Sequence, residues 1–514
     1  MRNAYREAAS AGTLNIIGAG SVVALSAQSV LAGGGPGEAF NAFMRVGRDG
    51  SGLLTISGGG KLLIEGNALS TVADSRSTSL YIGGTGDTTN GGTGIARVTG
   101  AGSEIRLTGV DTYIGVGHGP QSNGQLIVAD HGLVSAIGMN VGRSGGVGVL
   151  NVDNAALAFA GQQTGNVQSG AFLSIGRSGG IGVASLANGS IVTLVNAGSQ
   201  GASLNLGGTG PGPLGDGSLT LSGGSQVRVQ AAPGLGVVSV ARDGSGLLRL
   251  KGASSVDVGD GNFYIARLPG SDGTVIASEN SRINAGWVGV GRNLAGTGTG
   301  SVDGGSATLV LNGATLNARD VVIGTNGFLG GTAGSINVSG SITNYGIFSP
   351  GNSPGVFNIN GNYLAGAGSR LVLEVQANGA GGFDVDELRF GAGSDIDLGS
   401  MLVEFRFLGA TNPNAFQASG AFAIGNFVRQ ATAGGNYVGL DAAEFAQVSF
   451  AAQADGYAFT NFSFNALTGA TFTAVPVPEP GTFALWLAGG AAVCGLLRRC
   501  RAQALAPSAF ARRA

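Results

Sequence analysis

Gly217-Ser218-Leu219-Thr220-Leu221-Ser222-Gly223-Gly224-Ser225-Gln226-Val227 decides the fold. Leu219 and Leu221 alternate with polar residues, the period of a strand with one buried face. Ser222 to Ser225 follow as a tight turn whose glycines accept positive φ, and Val227 opens a further strand. The pattern recurs along the chain. The residues two and four after a glycine are Leu54/Ile56, Ala96/Val98, Leu126/Val128, Leu150/Val152, Ala184/Leu186, Leu248/Leu250 and Val275/Ala277. Ile336/Val338 fit the same place, as do Leu309/Leu311 after one inserted residue. The strand after the turn opens on Leu62, Ile105, Val134, Leu157, Val192, Val227, Val256, Ile283 and Leu316.

A third element completes each unit, a short apolar strand ending in Gly and often followed by Arg. Examples are Met44-Arg45-Val46-Gly47-Arg48, Tyr81-Ile82-Gly83, Tyr113-Ile114-Gly115, Val141-Gly142-Arg143, Ile175-Gly176-Arg177, Val240-Ala241-Arg242, Ile265-Ala266-Arg267 and Val290-Gly291-Arg292. Three strands and three corners per unit predict one coil of a right-handed parallel β-helix, an all-β solenoid of about ten or more coils stacked at ~4.8 Å. A single coil cannot bury its inward face, so each depends on its neighbours. A β-sandwich or propeller is the alternative; propeller blades need four strands in ~40–45 residues and carry aromatic signatures, and these units are shorter and aromatic-poor.

Composition agrees with this picture. The 514 residues include 99 glycines but only 11% charged and 6% aromatic residues, with 43% hydrophobic. A disordered chain is low in hydrophobicity and high in charge, the reverse of this one. The net charge of −2 and the presence of only two lysines, Lys61 and Lys251, exclude a generic nucleic-acid-binding surface. Both cysteines, Cys494 and Cys500, lie near the C-terminus, so the repeats hold together by burial and backbone pairing without disulfides.

The ends carry addresses. Arg2 and Arg6 precede a moderately apolar stretch from Leu14 to Ala27 and then Val30-Leu31-Ala32, which reads as a signal peptide over 1–32 cleaved after Ala32. At the other end, Pro476, Pro478 and Pro480 precede an uncharged run from Thr482 to Leu497, closed by Arg498, Arg499 and Arg501. Pro478-Glu479-Pro480, the apolar run and the basic end, in that order, resemble the PEP-CTERM sorting signal, here 475–501, with 502–514 a basic tail. The resemblance implies an exosortase-like processing enzyme as partner, with Pro478, Glu479, Pro480, Arg498 and Arg499 as the sorting residues. The apolar run is then a short transmembrane helix, about 24 Å long against a ~30 Å hydrocarbon core, suited to temporary inner-membrane anchoring.

The segment Ser349-Pro350-Gly351-Asn352-Ser353-Pro354-Gly355, with the repeats before it, resembles the last coils of autotransporter-type passenger domains. That family uses its β-helix as an extracellular stalk, often an adhesin. No membrane barrel pattern follows in this sequence, so export through a barrel of its own is not expected. On this basis the β-helix spans 33–375. From 376 to 474 glycines thin and phenylalanines multiply, which reads as an antiparallel β cap over the open end of the rod.

Chemistry is sparse. Asp384, Asp386, Glu387, Asp395 and Asp397 form the densest acidic group, read as turn residues with calcium as the alternative. His118 and His131 are the only histidines and have no metal-ligand spacing. No catalytic, cofactor or metal residue is assigned, and no enzyme activity is expected. The recurring Arg48, Arg143, Arg177, Arg242, Arg267 and Arg292 occupy one corner. They are either a solvated stripe that discourages edge pairing or a grip for an acidic exopolysaccharide. Tyr81, Tyr113, Tyr264 and Trp287 near the same strands keep a carbohydrate-binding role open. The expected protein is an exported surface or matrix component, structural or adhesive; a polysaccharide-degrading or -binding β-helix is the alternative.

Overall fold

The computed structural model describes residues 11–26, 42–66, 78–84, 91–109, 112–164, 167–208, 213–294, 301–351, 354–419, 424–440, 445, 447–465 and 469–477. The chain winds as a parallel β-helix whose three faces are parallel sheets. On the first sheet, the strand Asp216–Leu221 pairs in register with Ile181–Ala187 before it and Ser245–Leu250 after it, so that Ala184, Leu219 and Leu248 stack. The same column runs through Leu54, Ala96, Leu126 and Leu150 and on to Val275 and Leu309. Most of these side chains are fully buried. On the second sheet Leu62, Ile105, Val134, Leu157, Val192, Val227, Val256, Ile283 and Leu316 are register partners in that order, as their spacing predicted.

Two register assignments change. Ile336 pairs with Leu316 rather than with Leu309, so Ile336/Val338 belong to the second sheet and Leu329 takes the expected place on the first. Ser306–Ile323 and Gly327–Asn344 run as long bent strands around all three faces, bending at the positive-φ Gly313 and Gly331 without a separate four-residue turn, and glycine counting fails there. On the third sheet Tyr81 faces Gly115, so the corner glycine equivalent to Gly83 is Gly117. Tyr113-Ile114-Gly115 is therefore two residues out of phase with its neighbours.

The ends differ more. Residues Ala11–Ile17 and Val22–Ser26, expected in the signal peptide, are folded as strands of a coil. Leu14 and Ile16 align with Leu54 and Ile56, and Val23 with Leu62. The sequence repeats the signature too: Gly12, Leu14, Ile16, then Gly18 and Gly20. For one mature molecule a cleaved leader and a retained coil exclude each other. Ala32 lies outside the described residues.

Over 376–474, expected as an antiparallel β cap, antiparallel pairs do occur, Phe383–Val385 with Arg370–Ala377, Val428–Ala431 with Tyr437–Gly439 and Tyr457–Asn465 with Gly469–Pro476, but the segment is not antiparallel throughout. Parallel stacking continues through it: Glu387–Phe390 pairs with Val356–Ala365, Leu402–Leu408 with Arg370–Ala377, and Ser449–Ala454 with Leu402–Leu408. The phenylalanines mark a change of filling instead. Phe348, Phe357, Phe390, Phe405, Phe416 and Phe427 are fully buried and pack edge to face, with ring centres 5.2 Å apart for Phe405 and Phe427. Their bulk fills the interior where the small-residue repeats end. Only the last elements act as a lid: the short helix Pro413–Ala418 and the antiparallel hairpin Tyr457–Asn465/Gly469–Pro476. Asn412 caps the helix by accepting from the Asn414 and Ala415 N–H groups. Gln417 joins helix to hairpin, its side chain accepting from Phe472 N at 2.8 Å and donating to Phe472 O at 3.2 Å.

Among the described residues no helix is long and apolar enough to cross a membrane; the run 482–497 lies outside them.

Candidate functional site

The third sheet turns into the first at a corner built by a left-handed residue. Gly142 and Gly176 have φ of 69° and 71° there. A Cβ on Gly176 would collide with the carbonyl of Asp216 in the next coil. The residue after the corner is Arg143, Arg177, Arg242, Arg267 or Arg292, and the stack is real: Arg143 is the register partner of His118 on one side and Arg177 on the other. Gly208 interrupts the column between Arg177 and Arg242, and Arg267 follows Arg242 through the Arg267 N to Ala241 O hydrogen bond of 2.9 Å.

Beneath the arginines lies the outward-facing row of the third sheet, where alternation leads one to expect solvated residues. Asn140, Ser174 and Ser239 in this row are instead 1%, 2% and 0% exposed. The guanidinium of Arg143 lies close enough to the Tyr81 phenol, and that of Arg177 to the Tyr113 phenol, for their fields to be felt there. The Nε atoms of Arg143, Arg177 and Arg242 are themselves buried, so the arginine stems lie against the sheet and cover its outer face. At Tyr264 the cover is direct, with the Arg267 guanidinium 4.5 Å from the ring centre.

The six recurring arginines part into two groups. Arg48 pairs with Asp49 at 3.2 Å, and Arg292 pairs with Asp303 at 2.5 Å and lies over Tyr345. Arg267 donates to Asn293 at 3.1 Å. For Arg143, Arg177 and Arg242, no carboxylate of the described residues lies within 4 Å, and the buried Nε of each has no partner. Burial lowers the pKa of Arg177, the neighbouring charges of Arg143 and Arg242 lower it further, and Asp243 partly offsets them. Arg267 is lowered by burial and by Arg242.

The aromatic residues considered for sugar stacking lie on the outer face of the third sheet, where Tyr264 is the register partner of Ser239, yet they are covered. Tyr81, Tyr264 and Trp287 are 9%, 3% and 5% exposed. Tyr81 contacts Tyr113 through their hydroxyls and lies 5.1 Å from the His118 ring, while Tyr264 and Trp287 pack at 5.4 Å. They close the sheet face at both ends of the arginine row and offer no open ring platform. His131 sits in an exposed left-handed turn with φ of 68°, away from His118.

The acidic group is dispersed by strand alternation. Asp384 is exposed and accepts from Asn378, whereas Asp386 is fully buried and accepts from Gly355 N and Glu374 N, each at 2.7 Å. Glu387 pairs with Arg389 and Arg429, and Asp395 and Asp397 are exposed. Burial pushes the Asp386 carboxyl up to about 7, opposed by the two backbone hydrogen bonds and assisted by the charge of Glu374. Among the described residues no three His, Cys, Asp or Glu side chains come together as metal ligands.

A shallow groove of about 490 Å³ lies elsewhere, on the outer face of the first sheet. Asp216 and Asp272 line it, two coils apart with Ser245 between them, beside Arg249. Sequence spacing could have found this pair, since both open the strand after a corner; it was missed because their coils are not adjacent in the chain. The sorting residues Pro478, Glu479, Pro480, Arg498 and Arg499 lie outside the described residues. No protein-family model matches this chain, and no curated protein matches it either.

Proposed function

We propose that this is an exported, non-enzymatic repeat protein whose rod serves as a structural or adhesive element of a cell surface or extracellular polysaccharide matrix. The observation that carries this reading is the stack of repeated coils whose inward side chains form one continuous apolar interior. Such a rod meets partners only along its outer faces, a geometry suited to extended ligands. The winding expected of parallel crossovers between L-residue strands is right-handed. The PEP-CTERM-like tail supplies the address: the run 482–497 holds the chain in the inner membrane as a short helix, and an exosortase-like enzyme releases it near Pro478-Glu479-Pro480 to the cell surface or beyond. A leader over 1–32, cut after Ala32, starts the export. It removes the coil at 11–26 and leaves the coil at 51–65 as an end of the same construction.

Expression in hosts with and without exosortase, with intact masses of cell-bound and released forms, tests the address. A released form lacking the residues after the Pro478–Pro480 motif, present only with the enzyme, is the expected result. An uncut C-terminus in the positive host contradicts it.

A second reading, hydrolysis of a polysaccharide, draws support from Asp216 and Asp272. Two coils separate them by ~9.6 Å along the axis, near the range of paired glycosidase carboxylates. Both are exposed, and nothing buries either one as a proton donor requires. Reducing-sugar release from acidic and neutral polysaccharides, abolished by Asp216→Asn, is what this reading demands.

A further inference from the structure

We propose that the corner bearing Arg143, Arg177 and Arg242 binds an acidic polysaccharide, a sugar polymer with regularly spaced carboxylates laid along the rod axis. This deepens the matrix role proposed above and rests on it, but it is assayed on the purified chain, independently of sorting.

Geometry supplies the first argument. Arg143 and Arg177 are register partners in adjacent coils, ~4.8 Å apart along the axis, and Arg242 follows two coils on, ~9.6 Å further. A linear polymer with an acidic group on each or every second sugar presents charges in one line, as these arginines do. A globular acidic partner or a single phosphate would need convergent cations instead.

Charge supplies the second. The fold gives its other corner arginines partners, Arg48 with Asp49, Arg292 with Asp303 and Arg267 with the Asn293 amide oxygen and the Tyr264 ring, yet leaves these three with no carboxylate within 4 Å among the described residues and no partner at Nε. Their fields oppose one another, and half-burial makes that costlier. Stacked like charges weaken an empty rod and favour one that has bound a polyanion. Asp243 is the acid whose field reaches Arg177, and it offsets only part of this.

Hydrogen-bonding capacity supplies the third. The buried Nε of each arginine lacks a partner, as do both side-chain polar atoms of Asn140 and the hydroxyl of Ser239 beneath them. A buried polar group without a partner costs stability unless something satisfies it. Turning the guanidiniums outward onto carboxylates uncovers Asn140 and Ser239 to sugar hydroxyls.

The test is affinity electrophoresis of the full chain through gels containing polygalacturonate or neutral dextran. Retardation by polygalacturonate alone is expected. The triple variant R143Q/R177Q/R242Q should bind at least tenfold more weakly, while R97Q/R228Q/R282Q, with the same charge change on exposed positions elsewhere, should bind like the wild type. Equal binding by both variants overturns the site, as does equal retardation of the wild type by dextran. Displacement by double-stranded DNA as effective as by free polygalacturonate overturns the polysaccharide assignment. Relief of repulsion should leave the triple variant melting no lower than the wild type. Should it fail to fold, the wild-type melting temperature must still rise with polygalacturonate and not with dextran; no rise also overturns the site. Failure of C-terminal processing would leave all these results unchanged.

Discussion

Gly176 and Gly189 have nearly the same backbone, φ 71° and 75°, yet different neighbours. A Cβ at Gly189 meets nothing within 4 Å, whereas one at Gly176 strikes the Asp216 carbonyl. Gly189→Ala should therefore cost only the left-handed strain of ~1–2 kcal/mol, and Gly176→Ala clearly more, because the next coil must move. Urea midpoints of the two variants decide this; equal losses would show that the corner does not need glycine for close approach. Ala241 and Ala266 take the same corner with φ of 62° and 52°, so the strain alone is tolerated. Asp386 yields a pH prediction. Its folded pKa is raised from 3.8 to about 7. Its contribution is thus fully present below about pH 4 and is lost as pH rises through 7, a swing on the order of 4 kcal/mol. The stability of the C-terminal coils, read by hydrogen exchange, should fall from pH 5 to pH 8, and Asp386→Asn should flatten that slope. An unchanged slope in the variant removes Asp386 as its cause.

At the level of strands, the inward leucines and the outward asparagines act differently. Leu219 is 1% exposed and Leu221 0%, so Leu219→Ala should cost about 2–5 kcal/mol, while two aspartates at these places should abolish the β-type far-UV spectrum. On the second sheet, Asn284, Asn317, Asn337 and Asn360 stack in register and pass one hydrogen bond each down the line, at 2.7, 2.8 and 2.7 Å. Asn337 sits inside this ladder and Asn360 at its end. Asn337→Ala should lose two bonds, about 1–3 kcal/mol, and Asn360→Ala one, about half as much. Denaturation midpoints ordered the other way would argue that the ladder is incidental. The inward columns were legible because period-2 alternation survives any loop length. The ladder was not, since its asparagines lie 33, 20 and 23 residues apart.

The whole rod has two dissimilar ends. At the C-terminal end Phe416, 0% exposed, packs against Phe407 and Phe427, and the helix carrying it is bonded to the last hairpin. Phe416→Ala should cost about 3–5 kcal/mol and loosen that hairpin first, seen as early exchange of its amides while the repeats stay protected. Loss of protection throughout the rod at once would speak against a separable lid. At the other end Ile17, Val22 and Phe43 are 60%, 50% and 57% exposed on the first coils. If the leader is cut after Ala32, the exported form begins at Gly33. An N-terminus ahead of Ala11 would mean that the first coil stays in the rod.

The sequence by itself determined the solenoid, because each coil repeats one local rule: apolar residues at period two, glycine where φ turns positive, and a polar turn. It also placed the recurring arginines at one corner. Only the tertiary structure decided which arginines find a carboxylate, that the phenylalanine-rich segment continues the parallel stack, and that the aromatic side chains on the outer face near the corner are covered. Those outcomes depend on which coil lies above which. That registry is set by loops of unequal length and by contacts between residues far apart in the chain, which a one-dimensional pattern does not contain.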